Sequence, residues 1–437
     1  MHPELIYGLD QRPSWPQSLV YGFQWTIIFL PTLMILSAVS SAYLGFNDQD
    51  KLLFFQRVLL TSGGIMVFQT LWGHRYPLLD GPSSALLLSL LILAPGGMPA
   101  IQGGMISGGI LLCLLSGLGL MKRLQVLFTD QVVSVTLILI AITLLPYLAP
   151  LVIGRHPGRP QGDPVILGIS LATVLAISLF SQKLSGFFRA VSLLLGIGFG
   201  TFLMGVLDRV PFPPPLEGPW LAFPEPLFPG LPCFDLSAIL PFLVAYVAVI
   251  INGVGSIYSI GEVVGKGKME ERVSRGIGFT GLGGLLAGVL GSIGTVSFGI
   301  SPGVVLMTRV GSQYPVTFCG IFLCLLAFFH EVLVFLMSIP PSVVGAALLA
   351  AMASQVGAGI SILTRLGKGM DSRDYLVVGL PILLGGVITL LPETFFQTLS
   401  PSLQAFLKNG LAVGIVAVLF LEHVFLRMGK PNRKGNE

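Results

Sequence analysis

Apolar runs of about 20 residues, the length an α-helix needs to cross roughly 30 Å of hydrocarbon, recur along this chain with short breaks between them. In a bilayer every backbone N–H and C=O must find its partner within the protein, so such runs fold as spanning helices. Composition agrees. Hydrophobic residues make up 53% of the 437 and charged residues only 10%, with a mean hydropathy of +0.87. A soluble core is excluded, and the chain reads as an all-α integral membrane protein.

Breaks at charges, Pro and Gly place spans near 18–44, 51–73, 82–95, 104–121, 125–153, 164–182, 186–208, 236–264, 274–293, 301–313, 315–338, 341–364, 373–396 and 403–427. These fourteen divide as seven plus seven: a cytoplasmic N-terminus (1–17), a first repeat (18–208), an outer proline-rich linker (209–235), a second repeat (236–427) and a cytoplasmic tail (428–437). The third and tenth spans are too short to cross as helix. Both begin at a proline, in Gly81-Pro82-Ser83-Ser84 and Ser301-Pro302-Gly303. Counted from Ser18 and Ala238, Pro82 and Pro302 each lie 64 residues into their half.

Short Gly/Pro-interrupted segments at matching places in two halves point to the binding site of a carrier. A proline in the first helical turn lacks an N–H that would be unpaired anyway, and Ser301 is placed to act as N-cap. The extended backbone before each half-helix is tolerated at that depth only where protein or a cavity surrounds it. Two helix N-termini then aim their positive ends at one central volume, suited to anions or carbonyl oxygens. The expected ligand is a small polar solute.

Charge location gives orientation. With the amino terminus inside, 18 of the 24 Lys and Arg fall on cytoplasmic segments, including Lys122, Lys266, Lys268, Arg309 and Arg373. Lys51, Arg57, Arg155, Arg159, Arg209 and Lys408 remain outside. This bias follows the positive-inside rule and puts both termini in the cytoplasm of an inner-membrane protein. The net charge of +4 therefore reflects topology and carries no sign of nucleic acid. The first seventeen residues lack an apolar h-region, so no cleavable signal peptide is expected. Cys113, Cys233, Cys319 and Cys324 lack CxxC or His-paired spacing and read as packed or lipid-facing thiols. No cofactor or metal is expected. An enzyme would need clustered His, Cys or acids, and the sequence offers none.

Several stretches carry a resemblance in order and spacing: Tyr7-Gly-Leu-Asp-Gln-Arg-Pro, Trp220-Leu-Ala-Phe-Pro, Gly261-Glu-Val-Val-Gly-Lys, Gly303-Val-Val-Leu-Met-Thr-Arg-Val with Ser312, and Ile339-Pro-Pro-Ser-Val-Val-Gly. From about Tyr7 to Arg427 the chain resembles the nucleobase-ascorbate transporter family, which includes uracil and xanthine permeases. The resemblance implies a fourteen-span inverted repeat with a core domain (spans 1–4 and 8–11) and a gate domain (spans 5–7 and 12–14). It also implies a base bound between short strands preceding spans 3 and 10, dimerisation through the gate, and coupling to H+ or Na+. Thr308 and Arg309 end the signature motif of the tenth span.

At the site the chain departs from the family pattern. Asn252 and Ser256 stand where acidic residues are usual in the eighth span, Thr280 stands for an Asp in the ninth, and Ile300-Ser301 replaces a Gln/Glu-Asn pair. Ser84 replaces an aromatic, and Trp25 replaces a His beside the retained Gln24. Asn offers one acceptor and two donors to an amide-like edge. The expected pocket is uncharged, formed by Gln24, Ser83, Ser84, Asn252, Ser256, Ile300, Ser301 and Gly303, with Trp25 or Phe298 stacking on a flat ligand. Xanthine, urate or uracil fits such a pocket; a small-anion carrier on the same fold is the alternative, and a channel or membrane enzyme the third reading. Glu331, well inside an apolar run, is the candidate proton site alongside Thr280. Asp80 and Glu262 read as helix-end residues.

Overall fold

A computed structural model describes residues 5–156, 158–209, 219–366, 370–399 and 401–426. The proline run of the linker (210–218) and the tail (428–437) lie outside them. The first long helix, α1 (Trp15–Leu44), has a proline in its first turn and ends where Gly45 turns left-handed at φ 67°, the usual stop for a helix. In α2 (Asp48–Leu71) the Asn47 side chain accepts from the Asp50 N–H at 2.9 Å, and Asp48 and Asp50 complement the helix dipole. A loop through His74 leads to strand β1 (Asp80–Pro82) and the short α3 (Ser84–Leu93). There follow α4 (Met98–Gly117), α5 (Met121–Gln125), α6 (Asp130–Val152), α7 (Pro164–Lys183), α8 (Gly186–Ala190) and α9 (Ser192–Val206).

The second half runs α10 (Leu236–Val264), α11 (Met269–Leu290), β2 (Thr295–Ser297), the eight-residue α12 (Ser301–Thr308), α13 (Tyr314–Leu326), α14 (His330–Met337), α15 (Pro341–Leu366), α16 (Ser372–Leu390), α17 (Glu393–Phe396), α18 (Pro401–Leu407) and α19 (Gly410–Phe420). Among the described residues nine helices are long and apolar enough to cross a membrane, or ten with the bent α13–α14 pair taken as one.

Three predicted spans are broken. The run 315–338 turns by 94° between α13 and α14, so Glu331 lies in the first turn of a new helix and not midway along a straight one. The run 403–427 breaks before Gly410, where the Asn409 side chain accepts from the Ala412 N–H at 3.1 Å and starts α19 afresh. The run 186–208 is interrupted at Val191, between α8 and α9.

Two helix crossings bring backbones together through glycine. In α2 against α13, a Cβ on Gly63 would sit 2.5 Å from the Gly320 carbonyl oxygen, and one on Gly320 would sit 2.7 Å from that of Gly63. In α4 against α11, a Cβ on Gly281 would lie 2.8 Å from the Gly109 carbonyl oxygen, and one on Gly109 2.8 Å from that of Gly281. Lipid tails are as apolar as leucine, so close backbone approach, and not hydrophobic exclusion, drives such pairs. Side chains add polar ties: Gln102 Nε2 donates to the Gly288 carbonyl at 2.9 Å and Ser116 Oγ to that of Ser274 at 2.7 Å.

The helices fall into two packing groups. α1 to α4 pack with α10, α11 and α13, while α6, α7 and α9 pack with α15, α16 and α19. β1 and β2 pair antiparallel, Asp80 opposite Ser297, Gly81 opposite Val296 and Pro82 opposite Thr295. All six strand residues are buried, as irregular backbone at membrane depth must be.

Candidate functional site

The two strands lie where chain segments remote in sequence converge. The Phe298 N–H donates to the Leu79 carbonyl at 2.8 Å and the Ser83 N–H to that of Gly294 at 2.9 Å, extending the ladder at both ends. α1 closes on it through Phe29, which covers Gly81 and meets Phe298 edge-on with centroids 5.1 Å apart. α10 reaches it through Ser256, whose Oγ donates to the Ser297 carbonyl at 2.9 Å. A Cβ on Gly299 would lie 3.6 Å from that hydroxyl.

The residues named from sequence separate into two groups here. Ser83, Ser256 and Ser301 are buried and committed to the protein. Ser83 Oγ caps α3 by accepting from the Leu86 N–H at 3.5 Å. Ser301 is the first residue of α12 and not its N-cap, a position held by Ile300. Its hydroxyl accepts from the Leu79 N–H at 3.0 Å and donates to the Phe298 carbonyl at 2.9 Å, so it ties the two half-sites together. Gln24, Ser84 and Asn252 are half-buried, and none has a hydrogen-bond partner among the described residues. Asn252 lies one turn before Ser256 on the same face of α10. Gly255, Gly299, Ile300 and Gly303 are open, Ile300 being 47% exposed.

The aromatic candidates differ. Trp25 is 1% exposed and packed in the core, whereas Phe298 is only partly buried. At the end of α12, Thr308 Oγ1 donates to the Val304 carbonyl at 2.9 Å, and Arg309 takes the left-handed conformation at φ 58°. The Arg309 carbonyl accepts from the Ile6 N–H at 2.8 Å, and Tyr7 bridges to Val310. The amino-terminal motif is thereby docked on the tenth-span signature.

Thr280 and Glu331 are placed apart. Thr280 Oγ1 accepts from Gln69 Nε2 at 3.2 Å and donates to the Gly276 carbonyl at 3.0 Å, bridging α2 and α11. Glu331 is buried just beyond the α13–α14 bend, where Gln56 of α2 donates to the Ala327 carbonyl at 2.8 Å. Gln56 and Gln69 are 13 residues apart, about 20 Å along a helix, so Glu331 and Thr280 sit near opposite ends of α2.

Asp80 corrects its sequence reading. It occupies a strand and not a helix end, is fully buried, and accepts from Ser297 Oγ at 2.7 Å while facing His74 Nε2 at 3.0 Å. The signal for it was its place directly before Gly81-Pro82, on the extended backbone leading to a half-helix. Glu262 does sit near a helix end, paired with Lys266 at 2.5 Å.

Residues 16–394 match the family sequence model Xan_ur_permease, described as "Permease family". The chain is 27% identical over 426 residues to the uric acid transporter UacT of Escherichia coli, covering 95% of this chain and 88% of that one. It is 26% identical to a putative purine permease of Clostridium perfringens (96% and 93% covered) and 23% identical to the xanthine permease of Bacillus subtilis (97% of each). Its fold is similar to that of the transmembrane domain of the cyanobacterial bicarbonate transporter BicA, with TM-score 0.59, 15% identity, and 94% and 99% of the two chains covered. Murine Slc26a9, an anion transporter solved in an inward-facing state, gives TM-score 0.61 at 9% identity, with 93% and 68% covered. The chain belongs to the Permease family that this model describes.

Proposed function

We propose that this protein is a permease for a nucleobase, of the xanthine, urate or uracil kind, and that it acts by alternating access as a secondary transporter and not as an enzyme. The observation that carries the reading is that Ser84, two residues after β1, and Asn252, one turn before Ser256 on α10, are half-buried without a hydrogen-bond partner among the described residues, as is Gln24 on α1. Unused hydrogen-bonding capacity at that depth is costly unless a ligand or water takes it up. The amide groups of Gln24 and Asn252 match the alternating donors and acceptors of a base edge. Relatives named for uric acid and xanthine point the same way.

The proposal includes fourteen membrane segments in two inverted repeats. Its support is an exchange of packing partners: α4 with α11 answers α2 with α13, α10 with α4 answers α1 with α13, and α7 with α9 answers α16 with α19. In each case one pair maps on the other when every segment is replaced by its counterpart seven later or earlier. The group of α1–α4 with α10–α13 is then the core that carries the base, and α6–α9 with α15–α19 the gate it moves against. Both termini are assigned to the cytoplasm of the cell membrane, and the gate to a homodimer contact.

Uptake of radiolabelled xanthine, urate and uracil by proteoliposomes containing the purified protein tests the reading. Saturable uptake of one base, competed by its unlabelled form, is expected. Transport of bicarbonate or sulfate with none of the bases would replace it with the anion-carrier reading.

A further inference from the structure

With Asn252, Ser256 and Thr280 uncharged, the acid buried at the strand pair among the described residues is Asp80, held by two neighbours. Its Oδ1 accepts from Ser297 Oγ at 2.7 Å and its Oδ2 lies 3.0 Å from His74 Nε2. The side chains of His74 and Asp80 are 0% and 1% exposed. On the far side of the imidazole, His74 Nδ1 lies 3.0 Å from the Tyr76 backbone nitrogen. A backbone N–H can only donate, so Nδ1 accepts and carries no hydrogen, and Nε2 carries the one that goes to Asp80. The imidazole is therefore neutral, and the carboxylate holds the charge.

No cation offsets that charge. Among the described residues no Lys or Arg lies within ion-pair distance of Asp80. Arg272, which contacts the loop that carries His74, is spent elsewhere: its Nη1 donates to the carbonyls of His74 and Arg75 at 2.9 and 2.6 Å, and its guanidinium covers the Tyr76 ring at 4.4 Å. The Tyr76 hydroxyl donates to the Gly265 carbonyl. α1, α2, α10 and β2 bring Phe29, Gln69, Ser256 and Ser297 against the strands and the His74 loop, none ionisable near neutral pH. An uncompensated buried carboxylate is expensive, and binding a proton removes the cost.

We propose that Asp80 is the proton-binding carboxylate of this carrier, with His74 as its orienting partner and Ser297 as the link to the base. This rests on the permease reading above. A proton arriving at Asp80 Oδ1 converts the acceptor into an O–H donor. The Ser297 hydroxyl, which now donates to that oxygen, turns to accept from it. Ser297 is opposite Asp80 in register, its carbonyl holds Ser256, and its neighbour Phe298 borders the open residues Gly299 and Ile300. The protonation state is thus one hydrogen bond from the strand that frames the base. The arrangement puts the coupling carboxylate on β1, in the first half of the chain, where Glu331 and Thr280 are not.

Purified wild type, Asp80→Asn and Ser297→Ala are compared in proteoliposomes for base accumulation driven by an imposed pH gradient and for base exchange without a gradient. The proposal expects at least tenfold loss of gradient-driven accumulation in Asp80→Asn with exchange retained, and a weakened pH dependence in Ser297→Ala. Accumulation in Asp80→Asn equal to wild type overturns it, as does loss of exchange in both variants, which would mark a structural latch. Infrared difference spectra between acid and neutral pH give an independent readout that needs no base. A protonated-carboxyl band in wild type that Asp80→Asn abolishes supports the assignment, and an unchanged band overturns it. If no base is transported by wild type, the permease reading fails while the infrared result still decides the fate of Asp80.

Discussion

Ser256 Oγ donates to the main-chain carbonyl of Ser297 at 2.9 Å, so α10 holds strand β2 by a hydroxyl that is 3% exposed. This bond makes Ser256 a support of the site and not a free ligand group. Ser256→Ala leaves a buried carbonyl without its donor and should lower stability by about 1 kcal/mol. Base affinity should change less than on removing Asn252. Thermal unfolding in detergent, run beside binding, checks the split.

Asn252, one turn away and without a protein partner among the described residues, should behave in the opposite sense. Asn252→Ala is expected to weaken base binding at least tenfold, about 1.4 kcal/mol, with an unliganded melting temperature close to wild type. Gln24→Ala and Ser84→Ala should follow the same pattern with smaller losses.

The α4–α11 crossing admits no side chain at its centre. A Cβ at Gly281 would meet the Cys113 nitrogen and the Gly109 carbonyl oxygen, each at 2.8 Å. These are backbone atoms and cannot step aside. Gly281→Val should therefore cost about 3 kcal/mol and reduce the yield of folded protein, as size-exclusion profiles of detergent extracts would register, whereas Gly117→Val, facing open space, should not.

Outside the membrane segments, the Asp163 carboxyl is held below its usual range, first by the Val165 N–H that bonds it and then by Arg209 and Arg159, against the opposing effect of desolvation. Arg209 Nη1 is 3.0 Å from it. A carboxylate lowered on folding contributes stability above its unfolded value, and that contribution disappears as pH falls through the folded one. The melting temperature of wild type should accordingly drop on acidification through the carboxylate range more steeply than that of Asp163→Asn. The variant should be the less stable of the two at neutral pH.

Much of the fold is legible in the sequence because spanning helices announce themselves by length and hydropathy. The predicted run 236–264 coincides with α10 (Leu236–Val264) and 164–182 with α7 (Pro164–Lys183) to within a residue. The bend between α13 and α14 is hidden, since Phe328 and Phe329 keep the run apolar while the chain turns by 94°. At the site, the pairing of Pro82 with Pro302 locates the half-helices, but it does not reveal which serines are spent on structure. For Ser256 and Ser301 that division depends on partners remote in sequence, the Ser297 carbonyl and the Leu79 N–H. Asp80 reads as a helix-end acid by position alone, and only its buried contacts with His74 and Ser297 set it apart.

The central claim, a nucleobase held by uncharged groups around Asn252, is tested most directly by thermal-shift titration of purified wild type and Asn252→Ala with xanthine, urate, uracil and guanine, and with sulfate and bicarbonate as controls. Specific binding to the folded state must raise its apparent stability. The account predicts a saturable rise with one of the bases that Asn252→Ala removes. A rise with an anion and with no base, or a base response that Asn252→Ala leaves intact, would contradict it.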